Sequence, residues 1–222
     1  MSMTAPSATL DDVEKLGLAK ENIDNMYKII QIFSPLLPPE LTTTQQFNLA
    51  FYYRLLAYLT AACNATHYWL WSPSRDLLRT CFEMVVKGLF FIAYPEEAEK
   101  VKRRLEAGDE KAFDYSIKSN LLPKLYEGEK RVAHERFYKA ICPYSHADIQ
   151  GAILNFKDNA KERQDCVSII CALEYASIAL LRDSFIALMN PQLEEEMGKV
   201  VQRLQKCITM APDLKPNNMY AQ

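Results

Sequence analysis

Apolar residues recur with the period of an α-helix over most of the chain, and no run alternates apolar and polar residues as a strand would. Three segments are especially rich in Leu, Phe, Ala and Ile, at about 43–71, 73–94 and 161–189. A helix that is apolar nearly all round is usually buried. The pattern therefore predicts an all-α helical bundle with these three long helices at its centre and several short helices around them.

Proline-containing stretches separate the predicted helices. The segment "SPLLPPELT" at 34–42 ends a first helix of about 11–33, because a proline restricts the residue before it to extended conformations. Ser72 and Pro73 are expected to start the second central helix, with Ser72 as its cap and Pro73 at its first position. The sequence from 95 to 140 predicts shorter, more charged helices.

The length of 222 residues fits one domain of generous size. We expect a single helical domain at 11–210, with a flexible N-terminal tail at 1–10 and a flexible C-terminal tail at 211–222. The most membrane-like run, 55–71, contains Asn64 and His67 and falls short of a comfortable span. It favours a buried helix, and no membrane association is expected.

Charge and cysteine content narrow the classes of function. The formal net charge of −2 gives no global attraction to nucleic acid or to an anionic membrane. The six cysteines form no C-x-x-C pair and fall mostly in apolar helical patterns, which predicts reduced, buried thiols in a cytoplasmic protein. Neither a metal nor a cofactor is expected, since metal-ligand clusters and glycine-rich nucleotide loops are missing from the sequence.

Four charged residues of the second central helix are spaced by four positions: Arg75, Arg79, Glu83 and Lys87. At that spacing they form one slowly winding stripe on the helix surface. One interpretation is a solvent-facing stripe with weak ion pairs, each worth about 0.3–0.5 kcal/mol.

The other interpretation is a polar cleft between helices. Glu174 stands alone in the apolar run "CVSIICALEYASIALL", and a buried unpaired charge costs several kcal/mol. We therefore consider a cleft in which Arg79 and Glu83 meet Glu174, Arg54 or His146.

The stretch "PYSHADI" contains the strongest candidate for chemistry, His146, next to Tyr144 and Ser145. "SHAD" resembles a capping box, which places His146 in the first turn of a helix. There the positive end of the helix dipole disfavours protonation, so His146 is a candidate general base. The alternative is a helix-start histidine bonded to a neighbouring carboxylate.

His67 is expected to pack beside Tyr68, and His134 is expected to be solvated. Four aromatic residues could line a pocket, but core positions are favoured for them: Tyr52, Tyr53, Trp69 and Trp71.

Two of these motifs together resemble a family. The helix "SRDLLRTCFEMVVKGLFF" and the later "YSHADI" are similar to uncharacterised prokaryotic all-helical domains, which in turn resemble the HEPN superfamily of helical bundles. The resemblance covers roughly 45–190, and the matching positions are Arg79, Glu83, Ser145 and His146. It implies a bundle that acts in prokaryotic defence or toxin–antitoxin biology, with metal-independent RNA cleavage and a homodimer as expectations.

The chain departs from the usual HEPN motif, in which four to six residues separate an arginine from the following histidine. Here nine residues separate Arg136 from His146, so Arg79 is the candidate that would steady charge on the phosphate. On this interpretation His146, Arg79 and Glu83 are catalytic, and Arg75, Ser145, Tyr144 and Glu174 contribute to binding. The alternative function is a non-catalytic helical interaction module, or one that binds a small anion or nucleotide.

Overall fold

The computed structural model describes residues 10–141 and 160–208, and every regular element in those two ranges is helical. The α-helices are α1 (Leu10–Phe33), α2 (Thr43–His67), α3 (Trp71–Ala93), α4 (Pro95–Glu106), α5 (Leu122–Leu125), α6 (Gly128–Ile141), α7 (Ala160–Ser184) and α8 (Pro191–Ile208). A π-helical turn, Ile117–Leu121, leads into α5. The predicted all-α helical bundle is confirmed.

Helices α2, α3 and α7 form the centre of the bundle, and each packs against the other two. Helices α1 and α8 pack on each other and on α7, while α4, α5 and α6 lie against α3. Large side chains that are fully enclosed include Tyr52 on α2 and Phe82 and Phe91 on α3. The three segments predicted to be central are therefore the central helices.

Helix α2 ends at His67, four residues before the predicted end at 71. The Leu70 N–H donates to the Ala65 carbonyl at 2.8 Å, and the Trp69 N–H donates to the Thr66 carbonyl at 3.3 Å. This pair of bonds is the Schellman arrangement, in which the residue after the helix takes a left-handed conformation. Trp69 does so, with a φ of 62°. No sequence pattern predicts this turn, because glycine usually occupies the left-handed position.

The start of α3 and the end of α7 also differ from the predictions. Helix α3 begins at Trp71 with Leu70 as its N-cap, so the expectation that Ser72 caps the helix and Pro73 opens it is wrong. Helix α7 ends at Ser184 rather than at 189, and a short 3₁₀ turn, Ile186–Leu188, follows it. Helix α3 thus begins before the predicted proline, and α7 ends although apolar residues continue beyond Ser184.

Four of the six cysteines lie in the described ranges with described side chains, and all four are buried free thiols: Cys63, Cys81, Cys166 and Cys171. This confirms the prediction of reduced, buried cysteines for those positions. Among the described helices, one segment, Gln164–Ser184, is long and apolar enough to cross a membrane. Because 78% of its most apolar window is buried inside the bundle, the segment has the character of a core helix.

At Gly88 the three central helices pack closely against one another. A Cβ atom at this position would lie 2.7 Å from Leu180 Cδ1 and 2.8 Å from Asn48 Oδ1, and both neighbours are enclosed. Asn48 also donates hydrogen bonds to the Gly88 carbonyl and to Ser184 Oγ. We therefore expect Gly88→Ala to lower the free energy of unfolding by about 1–3 kcal/mol, as measured by urea denaturation.

The matched control is Gly17→Ala on α1, where nothing lies within 4 Å of the new methyl group. That change should stabilise the protein by about 0.5–1 kcal/mol. Equal effects of the two substitutions would contradict the close packing at Gly88.

Candidate functional site

A polar cluster joins α3 to α6. Arg79 Nε donates to Glu83 Oε1 at 3.0 Å, one helical turn further along α3. The Tyr138 hydroxyl on α6 donates to the same Glu83 oxygen at 3.3 Å. The arginine and glutamate side chains are 30% and 25% exposed, so the pair lies at the surface with one side against the bundle. Helix spacing sets the Arg79–Glu83 distance, whereas the packing of α6 on α3 sets the position of Tyr138.

The packing of α6 on α3 depends on aromatic rings beneath this cluster. Phe82, adjacent to Glu83, is fully buried, and its ring centroid lies 5.0 Å from that of Phe137 and 5.9 Å from that of Tyr138. The tyrosine therefore contacts the apolar layer with its ring and Glu83 with its hydroxyl group.

Arg75 lies one turn before Arg79, but in a different environment. It is 3% exposed, and its Nη2 is 3.5 Å from Asp165 Oδ2 in the early part of α7. The Asp165 carboxylate neutralises the charge of the buried guanidinium, and the ion pair links two central helices. The interpretation of the whole stripe as solvent-facing is therefore wrong for Arg75.

Lys87 occupies the end of the same stripe. Its ammonium group lies 4.6 Å from the centroid of the Phe113 ring, in a cation–π contact. Partial burial lowers the pKa of Lys87, while the nearby carboxylates of Glu83 and Asp114 oppose that change. The stripe thus changes from a buried ion pair at one end, through the half-exposed Arg79–Glu83 pair, to a lysine against an aromatic ring.

Glu174 is fully enclosed on α7, as expected for a charge inside an apolar helix. It accepts a hydrogen bond from Asn22 Nδ2 on α1, at 3.1 Å. Its carboxylate also lies near Cys63. Burial raises the pKa of this thiol, and the charge of Glu174 raises it further. Both effects favour the protonated thiol over the nucleophilic thiolate.

The remaining predicted site residues fall in two groups. Tyr144, Ser145 and His146 lie outside the described residues. Arg54 is exposed on α2, with its guanidinium 5.8 Å from the Tyr58 ring centroid. The part of the site within the described ranges is the Arg79–Glu83–Tyr138 cluster with the Arg75–Asp165 pair one turn away. Sequence reasoning missed Tyr138 and Asp165, which no motif distinguishes.

His134 was expected to be solvated, and that expectation is wrong. The side chain is 2% exposed, and its ring centroid lies 3.8 Å from that of Tyr126. Burial lowers the pKa of His134 to about 4, so the ring is neutral near pH 7. A signal did exist, since His134, Phe137 and Ile141 share one face of α6 at spacings of three and four residues, and all three are buried.

The other histidine and the aromatic residues divide between surface and core. His67 is exposed, with its ring 5.0 Å from that of Tyr68, so it lies beside that tyrosine as expected but is not packed inside the bundle. Tyr52 and Trp71 are core residues, whereas Tyr53 is 46% exposed. The preference for core positions is thus confirmed for two of the four aromatics named.

A second surface feature is a groove of about 300 Å³ between α7 and α8. Most of its lining is apolar, and Arg182 and Glu194 supply charged groups. In the described part of the chain, no group of three or more His, Cys, Asp or Glu side chains is arranged to hold a metal ion.

Comparison of the chain with protein-family models, with curated proteins and with solved structures found no significant match.

Proposed function

We propose that this chain is a HEPN-like helical-bundle protein that cleaves RNA without a metal ion, in a prokaryotic defence or toxin–antitoxin setting. The observation that carries the proposal is the Arg79–Glu83–Tyr138 cluster. In this cluster an ion pair within α3 holds a guanidinium at the surface of the bundle, and a hydroxyl group from α6 donates to the carboxylate of that pair. A fixed cation of this kind suits a phosphodiester whose negative charge increases in the transition state.

The chain connectivity supports a role for His146 in the same region. Tyr138 lies in the last turn of α6, and His146 follows it by eight positions. Eight residues span at most about 28 Å when fully extended, which sets an upper limit on the distance between the two residues.

The chemistry needs a base and a cation. The neutral imidazole of His146 accepts the proton of a ribose 2′-hydroxyl, and the 2′-oxygen attacks the adjacent phosphorus. The bond from phosphorus to the 5′-oxygen breaks, and that oxygen takes a proton from water. The imidazolium of His146 then gives its proton to the hydroxide that remains, which restores the neutral base. Arg79 stabilises the charge on the non-bridging oxygens, while Glu83 and Tyr138 position the guanidinium. The products are a 2′,3′-cyclic phosphate and a 5′-hydroxyl end.

The test is cleavage of labelled single-stranded RNA in the presence of EDTA. We expect the wild type to cleave, and His146→Ala and Arg79→Ala each to lose at least about 100-fold in rate. Arg79→Lys should not restore activity, because an ammonium group lacks the forked geometry of guanidinium. An RNA with a 2′-deoxy sugar at the cleaved position should resist cleavage. Cleavage by His146→Ala at the wild-type rate would overturn the proposal.

A second candidate function is a non-catalytic helical interaction module. The observation that favours it is charge pairing, since Arg75 and Arg79 each have a carboxylate within 4 Å. In this case the pairs fix the positions of the helices, and the wild type would cleave no RNA under any of these conditions. Replacing Arg79 and Glu83 together with Met and Leu would then leave the fold and its binding of partners intact.

A further inference from the structure

The corner between α2 and α3 displays aromatic rings at the surface. Tyr68 is 69% exposed and Leu70 is 51% exposed, and His67 beside them is exposed as well. Trp69 is half-buried, and its ring meets that of the buried Trp71 edge to face, with centroids 5.5 Å apart. The corner is therefore an exposed aromatic surface supported by a ring inside the core.

The backbone of this corner is held by hydrogen bonds and includes one residue in a strained conformation. Trp69 is the one non-glycine residue in the described ranges with a positive φ. Glycine would form the same Schellman turn without strain. Behind the turn, the hydroxyls of Thr66 and Ser74 lie 2.7 Å apart, and Ser74 also donates to the Ala62 carbonyl. A large side chain in a strained backbone conformation points to a role for that side chain.

The corner also lies on the helix that carries the candidate site. Arg79 lies eight positions after Trp71, a distance of about 12 Å along α3. From 64 to 79 the sequence contains one acidic residue, the exposed Asp76, so the corner itself contributes no carboxylate that would repel a phosphodiester. A short single strand with one phosphate at Arg79 would reach the corner with its neighbouring bases.

We propose that Tyr68 and Trp69 form a stacking platform for bases of single-stranded RNA. The inference rests on the proposed function and deepens it, because it names the side chains that would bind the bases of an unpaired RNA. Stacking on aromatic rings binds single strands with little dependence on sequence, since every base has a π face. A rigid corner also loses little conformational freedom on binding.

Fluorescence provides a direct test, because the chain contains two tryptophans and both are at this corner. The protein is the full-length His146→Ala variant, which keeps the RNA intact, and the probe is a ten-nucleotide single-stranded RNA. We expect the RNA to quench the tryptophan fluorescence, and an abasic strand of equal length to bind at least about tenfold more weakly. Tyr68→Leu should weaken RNA binding about tenfold, and Tyr68→Phe should bind within twofold of the parent. The matched control is Tyr27→Leu, an exposed tyrosine on α1 that should leave binding unchanged.

Two outcomes would overturn the platform: equal binding of the abasic strand, or a Tyr68→Leu variant that binds as tightly as its parent. The second result would fit an apolar docking site for another protein instead. RNA cleavage is measured separately, with proteins that contain His146. This measurement distinguishes a failure of the stacking platform from a failure of the proposed ribonuclease activity. Base-dependent quenching without any cleavage supports the platform and overturns the ribonuclease. Cleavage whose KM is unchanged by Tyr68→Leu supports the ribonuclease and overturns the platform.

Discussion

Replacing Phe82 with alanine is expected to lower the free energy of unfolding by about 3–5 kcal/mol. The ring is fully buried on α3 and contacts two rings of α6, those of Phe137 and Tyr138. Its removal leaves a cavity and also removes the aromatic contacts that hold α6 against α3. Because Tyr138 reaches Glu83 only while α6 is docked, the substitution should also disturb the Arg79–Glu83 pair.

Urea denaturation followed by circular dichroism measures this effect. The matched control is Val132→Ala, a 46% exposed position on α6, which should change stability by no more than about 0.5 kcal/mol. Phe82→Leu keeps most of the buried volume and should cost less than half as much as alanine. A loss below about 1 kcal/mol for Phe82→Ala would contradict the packing described between α3 and α6.

The sequence predicted those parts of the fold and site that depend on local spacing. Helical periodicity located the three central helices, and a spacing of four residues paired Arg79 with Glu83 correctly. Tyr138 lies 55 positions from Glu83, and Asp165 lies 90 positions from Arg75. Contacts over such separations depend on how the helices pack, and a single sequence without a recognised motif at those positions does not specify them.

The errors at helix ends have a different cause. Residues 68–71 are aromatic and apolar, so periodicity extended α2 through them to 71. At the turn Trp69 has a left-handed conformation that its residue type disfavours. The packing of α3 on α2, with Trp71 buried in the core, stabilises this conformation. A local rule failed at the corner where we also propose a binding surface, and sequence rules are expected to fail at functional sites.

Acidification is expected to destabilise the protein through His134. Burial lowers the pKa of this residue to about 4 in the folded state, against an ordinary value of 6.5 when the chain is unfolded. Between these two values the unfolded chain binds more protons than the folded chain, so stability falls as the pH falls. The contribution of this one side chain is fully present above pH 6.5, and about 3 kcal/mol of it is lost by pH 4. Tyr126, the ring against His134, remains neutral over this range, because burial raises the pKa of its hydroxyl to about 12.

Comparing the unfolding free energies of the wild type and of His134→Phe separates the effect of His134 from the titration of the carboxylates, which both proteins share. His134→Phe keeps an aromatic ring against Tyr126 but cannot take up a proton. Its unfolding free energy, measured in urea at pH 7 and at pH 4, should therefore fall by about 3 kcal/mol less than that of the wild type. His67→Phe, which replaces the exposed histidine at the end of α2, should reproduce the wild-type loss. Parallel pH profiles for the wild type and His134→Phe would mean that the imidazole becomes protonated inside the folded protein. The close contact between His134 and Tyr126 would then have to open at low pH.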